Sequence, residues 1–189
     1  MDKLWSRGRL AGLEIVETLL LAAFIFFASR LFIQNFRVEG RSMYPGLQSD
    51  ELVLVSKFAY LTGSPRRGDV VVISRPANPE QDLVKRIIGM PGETVEIVNG
   101  KIYLNGIGDA ESEYIQAPGN QSMASVDIPD SNYFVLGDNR VESEDSRRVG
   151  TGPSGAIVGK VWAIYWPLSE ISIFPTAVPE REPLPILIR

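Results

Sequence analysis

The amino-acid sequence predicts a mainly β protein, in which an antiparallel β-sheet domain follows one N-terminal transmembrane helix. Three observations predict this class. An uncharged apolar run lies near the N-terminus, short apolar segments separated by Gly, Pro and Asn begin beyond residue 36, and no long helical period follows the first run. The length of 189 residues allows one main domain with a short appendage.

The helix is predicted from the uncharged segment TLLLAAFIFFAS, Thr18 to Ser29. These twelve residues alone are too short for a bilayer, which requires about 20. Extending the window from Ile15 to Gln34 adds only two charged residues, Glu17 and Arg30, each near an end where its side chain reaches the interface. We therefore interpret residues 14–34 as a transmembrane anchor and residues 1–13 as a short N-terminal segment.

A cleavable signal peptide and a buried core helix are the alternatives to an anchor. The basic residues that a signal peptide carries before its apolar run are present, at Lys3, Arg7 and Arg9. However, Glu14 and Glu17 interrupt the approach to the run, and phenylalanines occupy the positions where a cleavage site needs small residues. These features favour a retained anchor. Basic residues flank the run almost equally on both sides, so the positive-inside rule does not decide its orientation.

The β-rich domain is predicted over residues 36–175, and a Pro-rich tail over 176–189. The candidate strands are Glu51 to Lys57, Asp69 to Ser74, Leu83 to Ile88, Thr94 to Val98, Lys101 to Leu104, Tyr133 to Leu136 and Gly155 to Trp166. The pair Asn99-Gly100 predicts a two-residue hairpin turn, because both central positions of such a turn favour positive φ. The segment Asn120 to Asp130 is interpreted as a polar loop.

The composition excludes several classes of function. The chain contains no histidine and no cysteine, which excludes disulfides, thiolate catalysis, zinc fingers and a Ser-His-Asp triad. The net charge of −4 has the wrong sign for a nucleic-acid-binding protein. No dense run of Asp and Glu has the spacing of metal ligands, so we expect neither a metal nor a cofactor. Chemistry must use hydroxyls, amines and carboxylates.

Without histidine, a hydroxyl nucleophile needs another base, and a neutral lysine amine is the side chain that can serve. The segment VEGRSMYPGL places Ser42 among glycines and a proline that build tight, exposed backbone. The segment LVKRIIGMPGE places Lys85 in a strand, on the face shared with Leu83 and Ile87, where burial would lower its pKa. The alternatives are an ordinary turn serine and a lysine that protects a strand edge.

A third segment, GDNRVESEDSRRVG from Gly137, follows an apolar strand and is dense in small polar and charged residues. Its side chains could orient a base and brace a site by a charge pair, and the residues concerned are Ser143, Asp145, Ser146 and Arg147. The alternative is a solvated turn.

Together these segments resemble bacterial-type signal peptidase I, or leader peptidase, the membrane-bound Ser/Lys endopeptidase family that removes signal peptides from exported proteins. The resemblance covers most of residues 14–166. It is carried by Arg30 with Phe32, by VEGRSMYP, by GDVVV from Gly68, by LVKRIIGMPGE and by GDNRVESEDSR.

The resemblance implies Ser42 as the nucleophile, Lys85 as the general base and Ser143 as the hydroxyl that orients Lys85. It also implies two bracing ion pairs, Asp138 with Arg86 and Asp145 with Arg147. The implied partners are secretory preproteins and the lipid bilayer. The implied location is a single-pass membrane protein with its catalytic β domain on the export side.

The chain departs from the family pattern at Gly40, where some members carry a serine that helps to bind the oxyanion. The Ser42 backbone amide is then the expected oxyanion donor, and the second donor is unknown. Gly46 and the pair Val141-Glu142 also differ from the usual residues. Two alternative functions remain, a self-cleaving Ser/Lys regulator and a catalytically inactive anchored β scaffold. The regulator is disfavoured because residues 1–35 contain no helix-turn-helix with a basic face.

Overall fold

The computed structural model describes residues 2–61, 63–75, 81–108, 115 and 119–174. The predicted Pro-rich tail, residues 176–189, lies outside the described residues. Within the first helix, the side chains described are those of residues 14–27, 30 and 32.

The first helix, α1, spans Asp2–Phe32. Every described side chain from residue 14 to residue 27 is exposed, and these include large apolar residues at consecutive positions around the helix. Within the part of the chain that the structure describes, no helix is long and apolar enough for a membrane span. The predicted end of the helix at residue 34 is wrong, because Ile33 already pairs with Ser56 in a β-sheet.

The described residues after α1 form antiparallel strands joined by short turns. The strands are β1 (Ile33–Arg37), β2 (Leu52–Ser56), β3 (Val70–Ile73), β4 (Leu83–Gly89), β5 (Thr94–Val98), β6 (Lys101–Leu104), β7 (Ile107–Gly108), β8 (Met123–Asp127), β9 (Asn132–Leu136), β10 (Gly152–Pro153), β11 (Ile157–Trp166) and β12 (Ser172–Ile173). A short helix, α2, spans Ser146–Val149, and a 3₁₀ turn spans Phe58–Tyr60.

The strands form two sheets. The larger has the order β1-β2-β11-β3-β4-β9-β10, with β12 paired to β11, and the smaller has the order β7-β6-β5-β8. The prediction of a mainly antiparallel β fold is confirmed, and each of the seven predicted strands matches an observed one to within two residues at either end.

The hairpin between β5 and β6 is confirmed at its turn. Asn99 and Gly100 both have positive φ, at 49° and 79°, and Val98 pairs with Lys101 across the turn. The prediction that residues 120–130 form a loop is wrong, because β8 lies there and pairs with β5. Four of the five residues of β8 are exposed, so the segment lacks the apolar alternation of a half-buried strand.

Strand β4 is buried on both faces, which makes it the centre of the fold. Ile87 packs with Val71, Tyr133 and Val135, whereas its neighbour Ile88 faces the core between β4 and the smaller sheet. A third core lies between β2, β3, β11 and the segment after β1. Its buried members are Val38, Met43, Leu47, Val53, Val55, Val70, Val72, Val161 and Ile164. Strand β4 therefore lies between two of the three cores.

Candidate active site

Ser42 lies in a turn that the hydrophobic core holds in place. The next residue, Met43, and Leu47 are buried, and the Leu47 amide donates a hydrogen bond to the Met43 carbonyl at 2.9 Å. Gly40 has a φ of +85°, a backbone conformation that favours glycine. Burial of residues 43 and 47 fixes the turn, and Ser42 remains half-buried at its surface.

Lys85 lies on β4 opposite Val71 of β3, and only 2% of its surface is exposed. Its Nζ donates a hydrogen bond to Ser42 Oγ at 2.8 Å. Burial lowers the pKa of Lys85 to about 8, against the opposing effect of the nearby carboxylates of Asp145 and Glu144. The structure thus brings together the two residues expected to act as nucleophile and base.

Asp145 anchors the segment that follows β9. Its carboxylate accepts hydrogen bonds from Arg147 Nε and Nη2, both at 2.8 Å, and from the Gly137 amide at 3.0 Å. Burial alone would raise the pKa of Asp145, but the contacts with Arg147, the Gly137 amide and Ser143 outweigh burial and lower it. Asp145 therefore stays ionised and holds Arg147, as the resemblance implies for this pair.

Ser143 and Ser146 have different surroundings. The Ser146 hydroxyl accepts a hydrogen bond from the Val135 amide at 2.9 Å, which fastens α2 to β9. The Ser143 hydroxyl is buried close to Asp145 and makes no hydrogen bond of full geometry within the described residues. A hydrogen bond between Ser143 and Lys85, through which this hydroxyl could orient the amine, is therefore not present among the described residues.

Arg86 and Asp138 form the second implied ion pair. Arg86 Nε and Nη2 donate to the two carboxylate oxygens of Asp138 at 2.8 and 2.6 Å, and Nη1 donates to the Gly68 carbonyl at 2.9 Å. All three partners are buried. One guanidinium thus joins β4, the end of β9 and the turn before β3. A Cβ at Gly46 would lie 3.3 Å from Asp138 Oδ2, so the departure at position 46 borders this pair.

Sequence reasoning missed two residues that connect the Ser42 turn to the segment after β9. The Asn139 amide donates to the Ser42 carbonyl at 3.0 Å, and Asn139 Nδ2 donates to the Arg41 carbonyl at 3.1 Å. A Cβ at Gly137 would lie 2.4 Å from the Ser42 carbonyl oxygen and 2.3 Å from Ser143 Oγ. The only signal in the sequence was the Gly-Asp-Asn triplet directly after an apolar strand, which is equally typical of a turn.

The remaining predicted features of the site concern the oxyanion and metals. Gly40 has no side chain and therefore supplies no side-chain donor to the oxyanion, and a Cβ at this position would meet nothing within 4 Å. Within the described residues, no three acidic side chains are arranged to hold a metal ion. The Ser42 hydroxyl and the Lys85 amine are in direct contact at this site.

Comparison with known proteins agrees with the motifs. The family model described as signal peptidase, peptidase S26, matches residues 12–166. The chain is 33% identical over 180 residues to a probable signal peptidase I-2 of Synechocystis, covering 92% of this chain and 82% of the relative. It is 32% identical over 175 residues to signal peptidase I U of Bacillus subtilis, covering 88% and 93%.

A crystal structure of a signal peptidase I from Enterococcus faecalis is 32% identical, covers 52% of this chain and 97% of the other, and has a TM-score of 0.45. The resemblance inferred from the motifs is confirmed by the family model and by the two relatives. The family model matches most of the chain, and the chain covers most of the length of both relatives. The chain therefore belongs to the signal peptidase family, peptidase S26, and is a hydrolase of the serine endopeptidase class.

Proposed function

We propose that this protein is a membrane-anchored endopeptidase that cleaves N-terminal signal peptides from exported preproteins, with Ser42 as nucleophile and Lys85 as general base. The observation that carries the proposal is the 2.8 Å distance between Lys85 Nζ and Ser42 Oγ at a buried amine. A buried amine loses its proton more readily than an exposed one, and only the neutral form can accept the hydroxyl proton. No histidine or cysteine competes for either role.

The reaction is an acyl transfer in two stages. Neutral Lys85 accepts the Ser42 proton as Oγ attacks the scissile carbonyl, and the oxyanion is stabilised by the Ser42 backbone amide. The lysine ammonium then donates its proton to the departing amine of the mature protein. Water, deprotonated by the same amine, attacks the acyl-enzyme ester and releases the signal peptide with Ser42 regenerated.

The surrounding residues hold the two reacting groups. The Arg147–Asp145 pair fixes the segment that carries Ser143, and the Arg86–Asp138 pair fixes β4 next to Lys85. In this proposal Ser143 orients the lysine amine once a substrate excludes water from the site. In that role the Ser143 hydroxyl would accept a hydrogen bond from the Lys85 amine, a contact that the described residues do not show.

Placement at a membrane is supported by the apolar surface around α1. A helix that exposes apolar side chains on every face is typical of one surrounded by lipid. Phe32 at its end contacts Phe58 edge to face, with ring centres 5.5 Å apart, and Phe58 and Leu61 are themselves exposed. The nine steps of chain from Ile33 to Ser42 reach at most about 30 Å, so the nucleophile lies near the end of the helix.

The proposed substrate follows from this placement. A signal peptide has its own apolar helix, which stays in the bilayer while the cleavage region extends beside Ser42. The catalytic β domain, residues 36–175, would face the side to which proteins are exported, with small side chains selected at the first and third positions before the cut. Extended peptides of this kind bind by pairing with an exposed strand edge.

The test is cleavage of a secretory preprotein in detergent by the full chain and by Ser42→Ala and Lys85→Ala made separately. We expect each variant to lose nearly all turnover, and sequencing of the new N-terminus to place the cut after the signal peptide. Ser125→Ala and Lys101→Ala, both exposed on the smaller sheet, are the matched controls and should remain fully active.

Three results would contradict the proposal. An active Ser42→Ala or Lys85→Ala variant would exclude the dyad. Cleavage of the chain itself with no cleavage of added preprotein would favour a self-cleaving regulator. Binding of preprotein without cleavage by the unaltered chain would favour an inactive scaffold.

A further inference from the structure

A second charged cluster, centred on the buried carboxylate of Asp69, is not used by the proposed reaction. Asp69, which is 2% exposed, accepts hydrogen bonds on Oδ2 from the Tyr60 hydroxyl at 2.8 Å and from the Arg66 amide at 3.1 Å. Its other oxygen, Oδ1, accepts a hydrogen bond from Lys160 Nζ. We refer to Tyr60, Asp69 and Lys160 as the Asp69 cluster. The carboxylate is satisfied at both oxygens and paired with one cation.

The cluster joins three parts of the fold. Tyr60 ends the 3₁₀ turn after β2, Asp69 directly precedes β3, and Lys160 lies on β11 in register with Val71 of β3. Burial, followed by the charge of Asp69, raises the pKa of Tyr60, so its hydroxyl stays protonated and serves as a donor. The carboxylate therefore has a single, fixed orientation at the start of β3.

The backbone of this segment continues the ladder that holds Lys85. The Ile87 amide donates to the Asp69 carbonyl at 2.9 Å, and the Gly68 amide donates to the Ile87 carbonyl at 2.8 Å. The next pairs along the same ladder are Val70 with Arg86 and Val71 with Lys85. Asp69 is thus two residues along the ladder from the lysine whose amine contacts Ser42.

We propose that Asp69, held by Lys160 and Tyr60, is a positioning residue that fixes the register of β3 against β4 and thereby the approach of Lys85 Nζ to Ser42 Oγ. This inference rests on the proposed Ser42–Lys85 dyad. The buried valines of β3 keep the strand in the core without the cluster, so loss of the cluster acts on the fine position of β4 and leaves the sheet intact. Proton transfer is sensitive to that position, since a displacement of about 1 Å costs up to about 100-fold in rate.

The test compares Asp69→Asn and Lys160→Met with a control variant, Ile102→Ala, which makes a cavity in the core of the smaller sheet. Each variant of the full chain is assayed in detergent for cleavage of a soluble preprotein. The quantities measured are kcat, KM, the melting temperature and the acid limb of the pH profile. We expect Asp69→Asn and Lys160→Met to lose at least about tenfold in kcat, with KM changed less than twofold. Ile102→Ala should melt at a lower temperature than the unaltered chain and keep most of its kcat.

The acid limb separates positioning from stability. The charges with the largest effects on the pKa of Lys85 are those of Asp145, Glu144, Arg147 and Asp138. Loss of a negative charge would by itself lower the pKa of the lysine, whereas a displaced and better hydrated amine binds its proton more tightly. We expect the limb to move to higher pH in Asp69→Asn and to stay in place in Ile102→Ala.

Two conservative variants keep the test decisive if Asp69→Asn does not fold. Lys160→Arg retains the cation and should restore most of the kcat lost in Lys160→Met. Tyr60→Phe removes one hydrogen bond to Asp69 and should lower kcat by about two- to threefold. A kcat and acid limb equal to those of the unaltered chain in Lys160→Met or Asp69→Asn overturn the positioning role. An inactive Ser42→Ala measured beside them leaves the proposed function standing in that case.

Discussion

At the residue scale, the proposed mechanism makes the pKa of Lys85 the quantity that determines how cleavage depends on pH. Burial lowers that pKa from 10.5 to about 8, and only the neutral amine accepts the Ser42 proton. We therefore expect kcat/KM to rise with pH through the acid range and to reach half of its maximum near pH 8. Cleavage of a preprotein measured from pH 5.5 to 9.5 checks this. A profile that is flat below pH 8 would contradict a lysine base.

The same amine should lower the stability of the fold. Below pH 8 the folded chain carries a buried ammonium, whereas above 10.5 both folded and unfolded chains carry the neutral amine. The free energy of unfolding therefore rises with pH between these values. Lys85→Met removes the buried charge and should raise the free energy of unfolding at pH 7 by up to roughly 3 kcal/mol, since one pKa unit is worth about 1.4 kcal/mol.

Urea unfolding of the two chains in detergent at pH 7 and at pH 10 measures this effect. The stability advantage of Lys85→Met should be full at pH 7 and should shrink at pH 10. An advantage that stays constant between the two pH values would mean that the lysine pKa is not lowered by folding. The inactive Ser42→Ala variant, which keeps the lysine, is the control for effects of lost activity.

At the element scale, the connection after β9 depends on Gly137. Any Cβ there would lie 2.4 Å from the Ser42 carbonyl oxygen and 2.3 Å from Ser143 Oγ, and the first of these atoms belongs to the backbone. Gly137→Ala should therefore separate the Ser42 turn from the segment that carries Asn139 and Asp145. We expect kcat to fall at least about 100-fold, because the reacting atoms must stay in contact. Gly155→Ala, where an added Cβ meets nothing within 4 Å, is the matched control.

The elements that the sequence predicted are those with a strong local signal. Runs of β-branched residues such as the valines of β3 and the Asn99-Gly100 turn depend on neighbours in the chain, and both were predicted correctly. Strand β1 was missed because Ile33 continues the apolar run of α1 and offers no helix stop. Strand β8 was missed because it is an exposed edge strand, whose pairing with β5 depends on residues about 30 positions away.

At the scale of the whole molecule, the candidate site depends on contacts between residues that are far apart in the chain. Ser42 and Lys85 are 43 residues apart in the chain, and their contact depends on the burial of Met43 beneath the turn and the pairing of β3 with β4. The sequence indicated which residue types could react. It did not indicate Gly137, Asn139 or the Asp69 cluster, because a close approach and a buried hydrogen bond arise only from tertiary packing.

The N-terminal helix gives a prediction that tests the proposed membrane anchor. If lipid surrounds the exposed apolar side chains of α1, a charge near the middle of the apolar run should weaken insertion. Leu21→Arg should move much of the protein into the supernatant after a carbonate wash, because a central arginine costs about 2.5–3.5 kcal/mol on insertion. Leu21→Ile, the control, should stay with the membrane. Cleavage of a soluble peptide in detergent should be equal in both, since Leu21 lies on the exposed helix away from Ser42. Extraction of the unaltered chain as complete as that of Leu21→Arg would exclude the anchor and leave the catalytic proposal intact.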